Sequence, residues 1–140
     1  ANGAGYVDID QTTLRHVKYE NVFALGDAGS SPNSKTAAAV RKQAPTVVRN
    51  LLDLIDGAPL AAAYDGYASC PMTTAYGKVM MAEFVYGGKV TPTFPLDPRK
   101  ERRSYWWIKT TALAPMYWNY MLHGREWFPG HDMDYDDAAK

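Results

Sequence analysis

The longest periodic run in the chain lies between Ser34 and Gly57, and it limits the architecture more than any other feature. Ala37, Val40, Ala44, Val47, Val48, Leu51 and Ile55 recur at the three-and-four spacing of one helix face. Lys42, Thr46, Arg49, Asp53 and Asp56 fall on the other face. The pattern predicts an amphipathic helix with Ser34 as N-cap and Gly57 as its stop. Pro45 either kinks this helix or opens a second one after a break. Residues 20–26 (ENVFALG) read as a buried strand closed by Gly, and DAGSSPNS as the loop that joins it to the helix. Residues 6–10 (YVDID) form a further short strand. One strand followed by one helix cannot make a complete doubly wound nucleotide domain.

The second half is organised differently. Residues 64–72 and 76–86 read as two strands, and Gly87-Gly88 marks a turn. Thr91 to Pro98 contains three prolines and is an extended connection. From Arg99 to about Gly124 the chain is helical, with Pro115 breaking or bending it. The tail, with Asp132, Asp134, Asp136 and Asp137, is expected to be loose. The order strand, loop, helix, two strands, aromatic helices is α+β, or the end of an α/β domain.

Composition removes several functions. Lys and Arg number 15, as do Asp and Glu, so the chain has no basic surplus for a phosphate backbone and nucleic acid is not an expected partner. The single cysteine excludes an internal disulfide framework and a multi-thiolate zinc site. His16, His123 and His131 share no metal-ligand spacing, and no metal is expected. No stretch reaches the roughly 20 apolar residues of a membrane span, and no signal peptide is expected. The chain does not start on Met and reads as a piece of a longer protein.

Four features can carry chemistry. Gly26-Asp27 ends a strand before a helix, where a carboxylate can accept hydrogen bonds from sugar-type hydroxyls and a glycine lets a ligand approach the backbone. The alternative is a turn Asp that caps its own loop. Lys35 stands at the helix start, where a cation is unfavourable with the helix dipole. It is either kept for a ligand or is an exposed loop lysine. Cys70, in YDGYASCPM, is either a reachable thiolate or a small buried hydrophobe, and the local pattern favours the second. In 99–122, Arg99, Lys100, Arg102 and Arg103 precede a segment rich in Trp and Tyr. Such a segment suits a lipid interface, where each cation adds on the order of 1 kcal/mol near an anionic surface. It suits a dimer interface or a core equally well.

Taken together, NVFALGDAGSSPNSKTAAAVRKQAP, YDGYASCPMTTAYGKVMMAEFVY and FPLDPRKERRSYWWIKTTALAPMYWNYMLHGREW resemble the C-terminal third of the sulfide:quinone oxidoreductases, closest to the mitochondrial-type branch. The resemblance covers about residues 6–128. NVFALGD alone is shared by many flavin-dependent disulfide reductases. YDGYxSCP followed by AEFxY and FPxDxxKERxS is specific in combination.

The resemblance implies that residues 1–57 end a Rossmann-like FAD-binding domain and that 58–140 form a small hairpin-and-helix domain facing quinone and membrane. It implies FAD as cofactor, sulfide and a quinone (ubiquinone or menaquinone) as substrates, and a peripheral place on a bacterial inner membrane or its equivalent. A homo-oligomer is also open. By the same resemblance, Asp27 bonds the FAD ribityl chain, Gly26 lets that chain lie close, and Lys35 and Thr36 sit near the flavin's pyrimidine end. Cys70 matches the C-terminal redox cysteine. Tyr105, Trp106, Trp107, Ile108, Tyr117 and Trp118 fall in helices that dip into the membrane. The partner cysteine and the first GxGxxG motif are absent from this sequence, so the piece alone is expected neither to hold FAD tightly nor to turn over sulfide. A type II NADH:quinone dehydrogenase shares the strand ending in GD but does not require YDGYASCP. A noncatalytic membrane-binding or dimerisation module is the remaining alternative.

Overall fold

A computed structural model describes residues 1–93 and 96–125. The proposed loose tail, with His131, and part of the proline-rich connection lie outside the described residues. The chain is α+β. Helix α1 (Ala37–Ile55) crosses a layer of extended loops. An antiparallel hairpin of β1 (Ala68–Ala75) and β2 (Lys78–Phe84) follows, and then a helical layer of α2 (Arg103–Trp107) and α3 (Leu113–Asn119). Between α2 and α3 the turns widen into a π-helical segment, Ile108–Ala112. Pro115 lies just beyond it, as the third residue of α3, and the helical layer continues through it.

α1 starts two residues later than its sequence predicts. Thr36 is the N-cap, and its hydroxyl accepts from the Ala39 N–H at 3.2 Å. At the other end Gly57, with φ +69°, donates to Leu54 O (3.2 Å) while Ala58 donates to Asp53 O (2.8 Å). That pair of bonds is a Schellman closure, and it needs the left-handed residue that glycine supplies. Pro45 sits inside one continuous helix and opens no second one.

The orientation of α1 is the reverse of the usual one for an amphipathic helix. Lys42, Gln43, Thr46, Asn50 and Asp53 are buried, whereas Leu52 and Ile55 are 52% and 70% exposed and Val48 and Leu51 are exposed as well. The reason lies in what α1 packs against. Residues 20–26 are extended but form a single backbone bridge, Phe23 to Arg15, and not a strand ladder. Residues 7–9 contribute single bridges, Val7 to Gly29 and Ile9 to His16. Loop backbone of this kind cannot be buried unless something satisfies its N–H and C=O groups. The polar face of α1 does this. Asn50 Nδ2 donates to Thr13 O and Ala62 O (both 3.0 Å), and Asn50 Oδ1 accepts from Ala62 N (2.9 Å). Asp53 accepts from Ala61 N at 3.0 Å, and Gln43 from Gly26 N at 2.7 Å. Between these bonds Ile9, Leu14, Ala24, Tyr64 and Tyr67 form a small apolar core, with Val47 and Ala38 of α1 against it.

The hairpin is antiparallel, with one register shift between Thr73 and Ala75. Its register runs from Ala68 opposite Phe84 to Thr73 opposite Val79, and the chain reverses at Tyr76-Gly77. Gly87-Gly88 make the next turn, after which Val90 bridges back to Phe84. Val79 and Met81 of β2 and Tyr105 of α2 form a second core, with Trp106 and Ile108 packed on it. Backbone bonds between Val79 and Arg102 anchor the helical layer to the hairpin.

Candidate functional site

Gly26, Asp27, Lys35 and Thr36 all gather at the N-terminal end of α1. Gly26 has φ +58°, and a Cβ built on it would stand 3.0 Å from Val40 Cγ2. The positive φ and this close approach both favour glycine between the turn and the helix. Asp27 is exposed in the same short turn, Gly26–Ala28. Lys35 lies immediately before the cap. Its ammonium donates to Gly29 O (2.6 Å) and Ser31 O (3.1 Å) and stands 4.7 Å above the Tyr6 ring. These partners offset the unfavourable place at the positive end of the helix dipole. Lys35 therefore clasps the 29–35 loop. Thr36 caps α1, whose first turn presents further N–H groups that have no partner within the helix.

The YDGYASCPM stretch is a braced platform. Tyr64 is buried; its hydroxyl donates to Tyr67 O (2.6 Å) and accepts from Asn33 Nδ2 (2.5 Å). Asp65 Oδ1 accepts from Tyr67 N at 2.9 Å, closing an Asx turn across Gly66, which has φ +85°. A Cβ on Gly66 would meet Tyr86 Cγ at 2.3 Å, so the Tyr86 ring lies directly on that backbone. Tyr86 donates to Gln11 O at 2.7 Å and packs edge-on to Tyr64 with centroids 5.7 Å apart. Tyr67 donates to the buried Glu83 carboxylate at 2.7 Å. Glu83 also accepts from Thr93 N (3.0 Å) and the Thr93 hydroxyl (2.5 Å), which makes its burial tolerable. Burial pushes the Tyr64, Tyr67 and Tyr86 phenols above their ordinary range, and the bond to Glu83 pushes Tyr67 further.

Cys70 sits on β1 at the edge of this platform, opposite Ala82, with its side chain exposed. The buried-hydrophobe reading that the local pattern favours does not hold, because the buried members of β1 are Ala68 and Ser69. The helical layer reaches this strand through Lys109. Its ammonium donates to Pro71 O (2.8 Å), one residue past the cysteine, and to Thr73 Oγ1 (2.9 Å).

The six aromatic and aliphatic positions named for the membrane face divide. Tyr105 is buried in the hairpin core, and Trp106 and Ile108 pack on that core. Trp107 and Trp118 are 59% and 63% exposed, and Tyr117 is exposed with its ring edge-on to Trp118. Among the described residues no helix is long and apolar enough to cross a membrane. Sequence reasoning missed Lys109, Glu83 and Asn50. Glu83 carried a signal, as an acid within a β-prone run. Asn50 and Lys109 carried none, since their partners are backbone carbonyls far away in sequence.

The relatives of this chain are oxidoreductases. No family model matches it. The mitochondrial sulfide:quinone oxidoreductase of Dictyostelium discoideum is 49% identical over 124 residues, 89% of this chain and 27% of that protein. The mitochondrial enzyme of the same name from Mus musculus is 44% identical over 124 residues, 89% of this chain and 28% of that protein. That from Schizosaccharomyces pombe is 39% identical over 133 residues, 91% and 29% respectively. The chain thus spans under a third of the length of these relatives. The likeness is to the C-terminal part of the mitochondrial-type sulfide:quinone oxidoreductases. The same fold occurs in a chain of the Tetrahymena thermophila mitochondrial ATP synthase, with TM-score 0.78 and 28% identity over 89% of this chain and 30% of that one.

Proposed function

We propose that this chain supplies the flavin-, quinone- and membrane-facing part of a sulfide:quinone oxidoreductase, with Cys70 as one of two redox sulfurs. The observation that carries this is the exposed thiol of Cys70 on a braced strand, in a sequence up to 49% identical to those enzymes. A redox thiol must be reachable and held still, and the Tyr64, Tyr67 and Glu83 bonds hold the strand while the side chain faces out. The residues at the start of α1 fit a flavin. Asp27 offers an exposed carboxylate to hydroxyls, and the α1 N-terminus places positive potential where a reduced flavin carries charge. When bound, FAD supplies the two-electron acceptor between sulfide and quinone.

The sulfur chemistry needs a partner cysteine from the longer polypeptide. Hydrosulfide attacks the disulfide, one sulfur becomes a persulfide, and the other leaves as thiolate with the bonding pair. The exposed Trp107, Tyr117 and Trp118, with Arg99, Lys100 and Arg103 before them, form the bilayer-contacting surface. In this reading residues 1–57 complete the FAD domain and 58–140 face quinone and membrane.

Purified alone, the chain incubated with FAD retains no stoichiometric flavin, while Cys70 reacts with a maleimide at the rate of a free exposed thiol. Stoichiometric flavin absorbance would overturn the claim that binding needs the rest of the polypeptide. An unreactive Cys70 would overturn its assigned role. A noncatalytic assembly role is favoured by one observation, the occurrence of the fold within the Tetrahymena ATP synthase. That role places no demand on Cys70.

A further inference from the structure

The loop before α1 and the strand that carries Cys70 are joined across the fold by a single asparagine. Asn33 is half-buried in the loop, among residues that read as turn formers. A turn asparagine bonds its own loop. Asn33 does this with one atom, Oδ1, which accepts from the Ser31 hydroxyl. Its amide nitrogen reaches out of the loop and donates to the Tyr64 hydroxyl (2.5 Å) and to Gly66 O (3.3 Å). The Tyr64 hydroxyl, on a side chain 3% exposed, donates in turn to Tyr67 O at 2.6 Å. That carbonyl is the last one before β1, three residues ahead of Cys70.

Both ends of this bridge are anchored. On the loop side Lys35 holds the Gly29 and Ser31 carbonyls, and Thr36 caps α1 directly afterwards. On the strand side the Tyr67 hydroxyl is held by the buried Glu83 carboxylate. Hydrogen bonds are satisfied only over a narrow range of separations, so a buried chain of them fixes the spacing of what it joins. We propose that Asn33 and Tyr64 are positioning residues that set Cys70 against the N-terminal end of α1. The proposal rests on the reading of Cys70 as a redox sulfur and of the α1 start as the flavin end. Neither residue is asked to touch the reacting atoms. Asn33 acts through the loop, and Tyr64 through the Tyr67 carbonyl. The demand on spacing is severe, because a misplacement of about 1 Å can cost about 100-fold in rate.

Tyr64→Phe removes the bridging hydroxyl and keeps the ring, and Asn33→Ala removes the donor from the other side. The spacing is read first, in the chain itself, from spin labels on Cys70 and on Ala37→Cys, both exposed. Their distance distribution should be narrow, and either variant should shift or broaden it with helical circular dichroism retained. If the buried Tyr64→Phe loses its helix, Asn33→Ala decides the test alone. The rate is read in a chimera in which the chain replaces the matched part of the Dictyostelium enzyme. Either variant should slow flavin reduction at saturating sulfide at least about tenfold, with flavin content and the half-saturating sulfide concentration unchanged. The double variant should be no slower than the slower single one, because both remove the same link. An unchanged distance distribution overturns the proposal. So does loss of flavin in step with the rate, which marks a purely structural role, and so does multiplication of the two effects. Undiminished reduction in the variants overturns it where Cys70→Ser abolishes reduction. Undiminished reduction in Cys70→Ser as well shows instead that the reading of Cys70 has failed, and the proposal falls with it.

Discussion

The two halves of the molecule solve the same problem in opposite ways. In the hairpin and its helices, a strand ladder satisfies the backbone, and apolar side chains such as Val79, Met81 and Tyr105 are free to make the core. Around α1 the described residues form only isolated bridges and no ladder. Polar side chains are drawn inward to satisfy loop backbone, and the apolar side of the helix is left outside. Amphipathicity therefore says that a helix has two faces. Which face goes in depends on whether its neighbours bring paired or unpaired backbone.

Alkali should break the contrast altogether, because Tyr64 and Tyr86 join the halves. The unfolded chain releases phenolic protons near the ordinary value of 10.0, whereas the folded chain holds Tyr64, Tyr67 and Tyr86 neutral to higher pH. Their stabilising contribution is complete below pH 10 and is lost as pH rises through the raised folded values, since the unfolded state then binds fewer protons. The exposed tyrosines can ionise with the fold intact, but the last part of the tyrosinate absorbance, from the buried phenols, should rise together with loss of helical circular dichroism above pH 10. Ionisation of all tyrosines with the fold intact would contradict the assigned burial.

Next in size is Asn50→Leu, which strands three backbone groups, two of them buried, and should cost about 3 kcal/mol in urea unfolding, although it makes the helix more apolar. Lys109→Met should cost about 1 kcal/mol and speed hydrogen exchange at 71–73 without altering α1. Smallest is Leu52→Ser, expected within about 0.5 kcal/mol in the chain alone because the side chain faces solvent. If Leu52→Ser costs more than Asn50→Leu, the orientation given to α1 is wrong.

What the sequence shows and hides follows the same division. The helix from 37 to 55, the hairpin and the helical character after 102 are legible, because local spacing and turn residues encode them. The inward face of α1 is not, because it depends on loop carbonyls at 13 and 62, which no periodicity reveals. The predicted strand at 20–26 is apolar enough to be one, but among the described residues it finds only the short partner around Arg15. In the candidate site, Cys70, Gly26 and Asp27 stand out as residue types, and Lys35 by its place at a helix start. The loop clasp made by Lys35, the burial of Tyr105 and the reach of Lys109 to Pro71 are long-range contacts, visible only once the chain is folded.

The central functional claim is that Cys70 is a redox sulfur. It is tested most directly in the full-length chimera by comparing Cys70→Ser with wild type for the rate at which sulfide reduces the bound flavin. The account predicts that the variant still binds flavin but loses sulfide-dependent reduction. Undiminished reduction in the variant would contradict it and return Cys70 to the structure of the hairpin.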